Sequence, residues 1–172
     1  MDKHINQKGI TLVELVLYIG ISSIMLLVLF AFYGSNLKSD IKNKAIHHTQ
    51  TSGQQIVSIM QKLSQPISTI TSPTAGNSSS TIVFTTASST QSPIEIKLQN
   101  KNIIVTEDTD GSPRSYKLNS ENVEIQSLEF TNLSSGTIDS FRYQTNIMSS
   151  TTYEANKIYN YGATYYGAIT EK

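Results

Sequence analysis

Cysteine is absent from this 172-residue chain, so it has no disulfide framework and no thiol chemistry, and any domain it forms is held by packing alone. An excess of either charge is missing too. Thirteen Lys plus Arg balance 13 Asp plus Glu, so no global field draws the chain to nucleic acid or to an acidic substrate, and partners must be recognised locally. No glycine-rich phosphate loop occurs, and no serine sits in a nucleophile-elbow motif. His47 and His48 are adjacent, a spacing that points them about 100° apart on a helix, and His4 is the only other histidine, which argues against a metal site. Glu107, Asp108 and Asp110 lack the spacing and terminal glutamate of a calcium loop and read as a solvated turn. Glu95, Glu121, Glu124 and Glu129 read as solvent-facing strand residues rather than as a pair of catalytic carboxylates. These absences point to a protein that is not an enzyme and needs no cofactor and no metal.

What is present is a long apolar run. Ile10 to Phe32 contains no proline, and at about 1.5 Å per residue it extends roughly 34 Å as a helix, enough for a hydrocarbon core about 30 Å thick. A short polar leader with Lys3 and Lys8 precedes it. Lys38, Lys42 and Lys44 follow with Asp40, so charge bias alone does not orient the span. Glu14 lies near the start of this run, where an ionised side chain costs less than the roughly 2.5–3.5 kcal/mol of the bilayer centre. Two readings of it stand: a carboxylate resting at the interface, or one retained for a specific partner.

The stretch Lys8-Gly9-Ile10-Thr11-Leu12-Val13-Glu14-Leu15 resembles the processing site of type IV prepilins and of the related pseudopilins of type II secretion and DNA-uptake systems. That resemblance implies cleavage by a prepilin peptidase between Gly9 and Ile10, N-methylation of Ile10, and an assembly role for Glu14. It further implies other pilin or pseudopilin subunits, a membrane assembly platform and the lipid bilayer as partners. The chain would be a single-pass protein of the cytoplasmic membrane, N-terminus inside, later joining a surface or periplasmic filament. Ile10 stands where phenylalanine is commonest in the family. The apolar run also lacks the late helix-bending proline of many major pilins, offering Gly20, Ser22, Ser23 and Gly34 instead, which points toward a minor pilin or pseudopilin.

Beyond the apolar run, Leu37, Ile41, Ala45, His48, Ser52, Ile56, Ile59 and Leu63 recur at steps of three and four, which predicts that the helix continues to about Leu63. Pro66 and the Ser/Thr/Gly/Asn stretch from Thr71 to Ser80 then end it, and alternation of period two follows. Expected strands hold Ile82 and Phe84; Ile94, Ile96 and Leu98; Ile103 to Thr106 after a hairpin turn at 99–102; and Tyr116 and Leu118 after a turn at Asp110-Gly111. Val123 and Ile125 slip phase to Leu128 and Phe130, which predicts a bulge. Phe141, Tyr143, Thr145 and Ile147 follow a Ser134-Ser135-Gly136 turn as the cleanest alternation.

The expected fold is α+β: a long N-terminal helix, transmembrane in its first half, packed on an antiparallel β-sheet in the ladle form of pilins. Its segments are a leader at 1–9, a membrane and filament-core helix at 10–33, an amphipathic continuation at 34–65, a Ser/Thr-rich linker at 66–80 and an exported β domain at 81–172. In the tail, Tyr159, Tyr161, Tyr165 and Tyr166 are candidates for surface binding: stacked on bases or sugars beside Arg142 and Lys157, they would contact nucleic acid or an adhesion target. Packing at a strand edge is the reading that the strand preference of tyrosine favours. The rival to a filament subunit is a membrane-tethered enzyme, sensor or binding module whose outer domain acts alone.

Overall fold

No proline falls between Thr11 and Gln65, and a single helix, α1 (Leu12–Ser64, 53 residues), fills that interval in the computed structural model. It stops two residues before Pro66, whose ring disfavours helical geometry in the residue preceding it. The structure describes residues 11–65, 67–87, 92–109, 111–149 and 160–171, so Gly9, Ile10 and Tyr159 lie outside the described residues. Contacts divide the chain into two units, Met1–Ile41 and Lys42–Lys172.

In the first unit, every large apolar side chain from Leu12 to Tyr33 is more than half exposed. A helix apolar on all sides is suited to hydrocarbon or to other helices rather than to water. By length and composition α1 contains a segment able to cross a membrane.

In the second unit, the remainder of α1 buries Ala45, Thr49, Ser52, Gly53, Ile56, Met60 and Ser64. That face shares Ala45, Ser52 and Ile56 with the expected stripe and is turned from it at the other positions. Thr49 and Met60 are fully buried, whereas His48, Ile59 and Leu63 are half-buried at its margin. Small residues at Ala45, Thr49, Ser52 and Gly53 let the sheet come near the helix backbone, Ile56 and Met60 enter the core beyond them, and Ile59 and Leu63 flank the contact.

Nine strands follow among the described residues: β1 (Ile67–Ser72), β2 (Ser78–Ser79), β3 (Thr81–Thr86), β4 (Ile94–Gln99), β5 (Asn102–Thr109), β6 (Ser112–Lys117), β7 (Val123–Asn132), β8 (Ser140–Ser149) and β9 (Gly162–Thr170). They form two antiparallel sheets, ordered β1-β3-β4-β5-β6 and β2-β7-β8-β9, where one sheet was expected. The chain passes from β6 in one sheet to β7 in the other through Asn119, a buried residue. Its Oδ1 accepts the Ile103 N–H at 3.0 Å and its Nδ2 donates to the Val123 carbonyl at 2.7 Å.

The 66–80 stretch, expected as a linker, contributes β1 and β2. Ile67 and Ile70 are both buried at a spacing of three because register shifts interrupt the β1–β3 pairing, which hides a strand from any search for period two. β6 is exposed along its whole length and ends before Leu118, so the expected alternation is absent there, whereas other strands keep it. Asn100 and Lys101, with φ of 49° and 61°, close the β4–β5 hairpin as a two-residue turn of left-handed residues. The expected bulge falls between Ile125 and Ser127. Phe141, Tyr143, Thr145 and Ile147 all point inward.

One core joins both sheets and the second half of α1, with Ile56 and Met60 among its members. Its centre is aromatic: Phe84 of one sheet lies 6.1 Å from Phe141 of the other, and Phe130 lies 6.0 Å from Phe141 and 6.5 Å from Tyr143, ring centre to ring centre. Two glycines allow close ring contacts. A β-carbon at Gly53 would fall within the Tyr165 ring, and one at Gly167 within the Tyr143 ring opposite it in the β8–β9 ladder. The Tyr143 hydroxyl is buried with no partner among the described residues, and burial raises its pKa.

Two stability outcomes are expected. Gly53→Ala forces the Tyr165 ring to move, at a cost of about 1–3 kcal/mol that exceeds the roughly 1 kcal/mol gained in helix propensity, so the urea midpoint falls. Gly20→Ala, with nothing within 4 Å, gains the same propensity without a clash and does not lower it. Tyr143→Phe removes an unpartnered hydroxyl and holds or raises stability by up to about 1 kcal/mol. Because the folded state keeps that proton beyond the ordinary tyrosine value of about 10, its contribution is complete below pH 10 and is lost as pH rises above it. Urea unfolding across this range shows a shallower decline in the Y143F variant.

Candidate functional site

The first turn of α1 carries the one acidic group of the apolar segment. Thr11 precedes the first helical residue and Glu14 is the third, the spacing of a capping box. The Thr11 N–H donates to Glu14 Oε2 at 3.1 Å and the Thr11 hydroxyl to the same oxygen at 3.2 Å. The Glu14 N–H donates back to Thr11 Oγ1 at 3.3 Å, and the Leu15 N–H reaches the Thr11 carbonyl at 3.1 Å. The carboxylate thus satisfies donors that helix geometry orphans and sits at the positive end of the helix dipole. Thr11-x-x-Glu14 spells this cap in the sequence, a signal masked by the stronger apolar pattern around it. Farther along, the Ser23 hydroxyl donates to the Ile19 carbonyl at 2.7 Å, so this polar group is satisfied within the helix.

The tail tyrosines do not share one surface. Tyr161 and Tyr165 lie half-buried on the side of β9 that faces α1. The Tyr165 ring covers Gly53 and its hydroxyl donates to the Thr49 carbonyl at 3.4 Å, while Thr49 Oγ1 donates to the Tyr161 carbonyl at 3.3 Å. Burial, then the neighbouring Tyr161, raises the Tyr165 pKa. Tyr166 projects to the opposite side, 64% exposed. Arg142 is exposed on β8, where it pairs with Ala168.

The carboxylates are separate. Glu95 pairs with Lys97 at 2.8 Å and Glu124 with Lys101 at 2.9 Å, surface pairs worth at most about 1 kcal/mol each. Glu107 accepts the Tyr116 hydroxyl at 2.6 Å, and the Tyr116 pKa is raised by burial, then by that hydrogen bond and charge. Among the described residues no three His, Asp or Glu side chains gather as metal ligands. Comparison with protein-family models, with curated proteins and with solved structures returns no match.

The cap yields a direct test. Glu14→Ala removes acceptor bonds worth about 1 kcal/mol and speeds amide exchange in the first turn of α1 about fivefold. Glu14→Gln, which keeps a side-chain acceptor at the same position, retains most of the protection.

Proposed function

We propose that this chain is a minor pilin or pseudopilin: a subunit held in the cytoplasmic membrane by its apolar helix, processed between Gly9 and Ile10, and assembled into a type IV pilus-like filament. The observation that carries the reading is Gly9-Ile10 placed immediately before a capped helix whose apolar surface is exposed on every side from Leu12 to Tyr33. Exposed in a single chain, that surface suits lipid before assembly and neighbouring helices afterward. Cohesion is the subunit's task, and no catalysis is assigned to it.

Prepilin peptidase would remove residues 1–9 and methylate the new amine of Ile10. In a low-dielectric bundle an unpaired ammonium is costly, and a carboxylate from the adjoining protomer offsets that cost only at one axial offset. Both Thr11 donors engage Oε2 of Glu14, so Oε1 is the oxygen available to an incoming amine. Glu14 then serves twice, as the helix cap within its own chain and as the register-setting charge for the next. The antiparallel β region beyond the helix would supply the exported surface, and its filament companions and assembly platform would be its partners.

A second reading is favoured by the capping box itself: Glu14 is a local cap only, and the helix is the anchor of a domain that acts alone. Two measurements separate the readings. The N-terminal peptide from membranes of cells with a working prepilin peptidase is expected to begin at methylated Ile10, and an intact Met1–Gly9 leader refutes processing. Glu14→Gln, which preserves capping but not charge, is expected to reduce filament incorporation at least tenfold while leaving membrane insertion normal. Normal incorporation of E14Q would assign Glu14 to the cap alone.

A further inference from the structure

The four-stranded sheet turns one side to the core and the other outward, and its ladders align the outward side chains in rows. Ser127, Asn146 and Thr164 form one row, and Ser78, Thr131, Arg142 and Ala168 form another. Both are tied internally. Asn146 Nδ2 donates to Ser127 Oγ at 2.8 Å, the Thr164 hydroxyl donates to Asn146 Oδ1, and the Ser78 and Thr131 hydroxyls pair at 2.8 Å. Between these rows lies Glu129, Gln144 and Tyr166, with Arg142 diagonal to the tyrosine. Among the described residues no hydrogen bond or ion pair engages the side chains of Glu129, Gln144, Arg142 or Tyr166. Tyr166 is 64% exposed, and its neighbours along this side of β9, Thr164 and Ala168, are short, so its ring stands clear of the strand.

We propose that this outward face binds a neutral oligosaccharide, with Tyr166 as the platform and Gln144, Glu129 and Arg142 as the groups that read its hydroxyls. The negative face of an aromatic ring attracts the C–H-lined face of a pyranose. Carboxylate, amide and guanidinium are planar, and each can engage two neighbouring hydroxyls at once: the first accepts from both, the last donates to both, and the amide does one of each. A sugar hydroxyl donates and accepts, so one ligand class satisfies all three groups. Ala168, opposite Arg142 in the ladder, leaves space for a sugar ring between the tyrosine and the guanidinium. A polyanion fits less well, because Glu129 offsets the attraction of Arg142. A protein partner would find no apolar cluster to bury as an interface core, since Tyr166 is bordered by Thr164, Ala168, Gln144 and Arg142. The site belongs to the β region alone and holds or fails independently of processing at Gly9.

The full-length chain, in micelles of a detergent without a sugar headgroup, is the test material. Its binding is measured to immobilised neutral tetrasaccharides of glucose, N-acetylglucosamine, galactose and mannose, and to oligodeoxythymidine. At least one tetrasaccharide is expected to be retained. Tyr166→Ala is expected to weaken that binding at least tenfold and Tyr166→Phe, which keeps the ring, less than twofold. Ala168→Leu, which fills the space beside the ring at an exposed position, is expected to weaken it at least fivefold and serves as the second variant if Tyr166→Ala fails to fold. Tyr116→Ala, on β6 of the other sheet, leaves it unchanged. Retention of none of the four sugars, or retention insensitive to both Tyr166→Ala and Ala168→Leu, overturns the proposal. Tighter, salt-sensitive retention of oligodeoxythymidine overturns it in favour of a nucleic-acid surface.

Discussion

Contact between the second half of α1 and the sheet depends on side chains that are nearly absent. Ala45, Thr49, Ser52 and Gly53 bring the helix backbone close enough for the Tyr165 ring to lie on Gly53 and for Thr49 to exchange hydrogen bonds with β9. Ser52 adds a hydroxyl pair with Ser120 at 2.8 Å beside the crossing between sheets. Larger residues here would hold the two layers apart and leave those polar groups without partners, at a cost of about 1–3 kcal/mol for each buried one. Below the contact, Ile56 and Met60 supply the apolar burial that makes it favourable.

The other end of α1 faces the opposite problem, a polar group among apolar neighbours. Capping gives the Glu14 carboxylate two donors from its own chain, so its position follows from helix geometry before any assembly is considered. A cap also holds the side chain in one place. A carboxylate fixed at a helix start is better prepared to meet a cation at a defined height than one free to bend toward water, and that is the physical link between the local role and the proposed one.

Much of the β region was legible because its strands obey a period of two. Phe141, Tyr143, Thr145 and Ile147 were readable as an inward-facing row, and the slip from Ile125 to Leu128 marked the bulge at 125–127. The helix was legible from apolar content and from the absence of proline. Three features resisted. β1 was hidden because Ile67 and Ile70 share a side only through broken pairing. The division into two sheets was hidden too: Asn119 ties Ile103 of one sheet to Val123 of the other, a link that no local pattern announces. The buried face of α1 was legible at Ala45, Ser52 and Ile56 but not at Thr49 and Gly53, where small size rather than hydrophobicity marks burial. In the candidate site the carboxylate was conspicuous, and its partner Thr11 was not, since threonine in an apolar run draws no notice.

The bonds between Thr49 and β9 join residues more than a hundred positions apart in the chain, Thr49 to Tyr161 and Thr49 to Tyr165. A ribosome must therefore have passed Tyr165 before the middle of α1 acquires its cover, since long-range closure waits on the arrival of the later segment. A product truncated before Tyr161 would leave Gly53 and its neighbours bare and invite degradation. Synthesis as far as β9 is in this way coupled to the packing of α1.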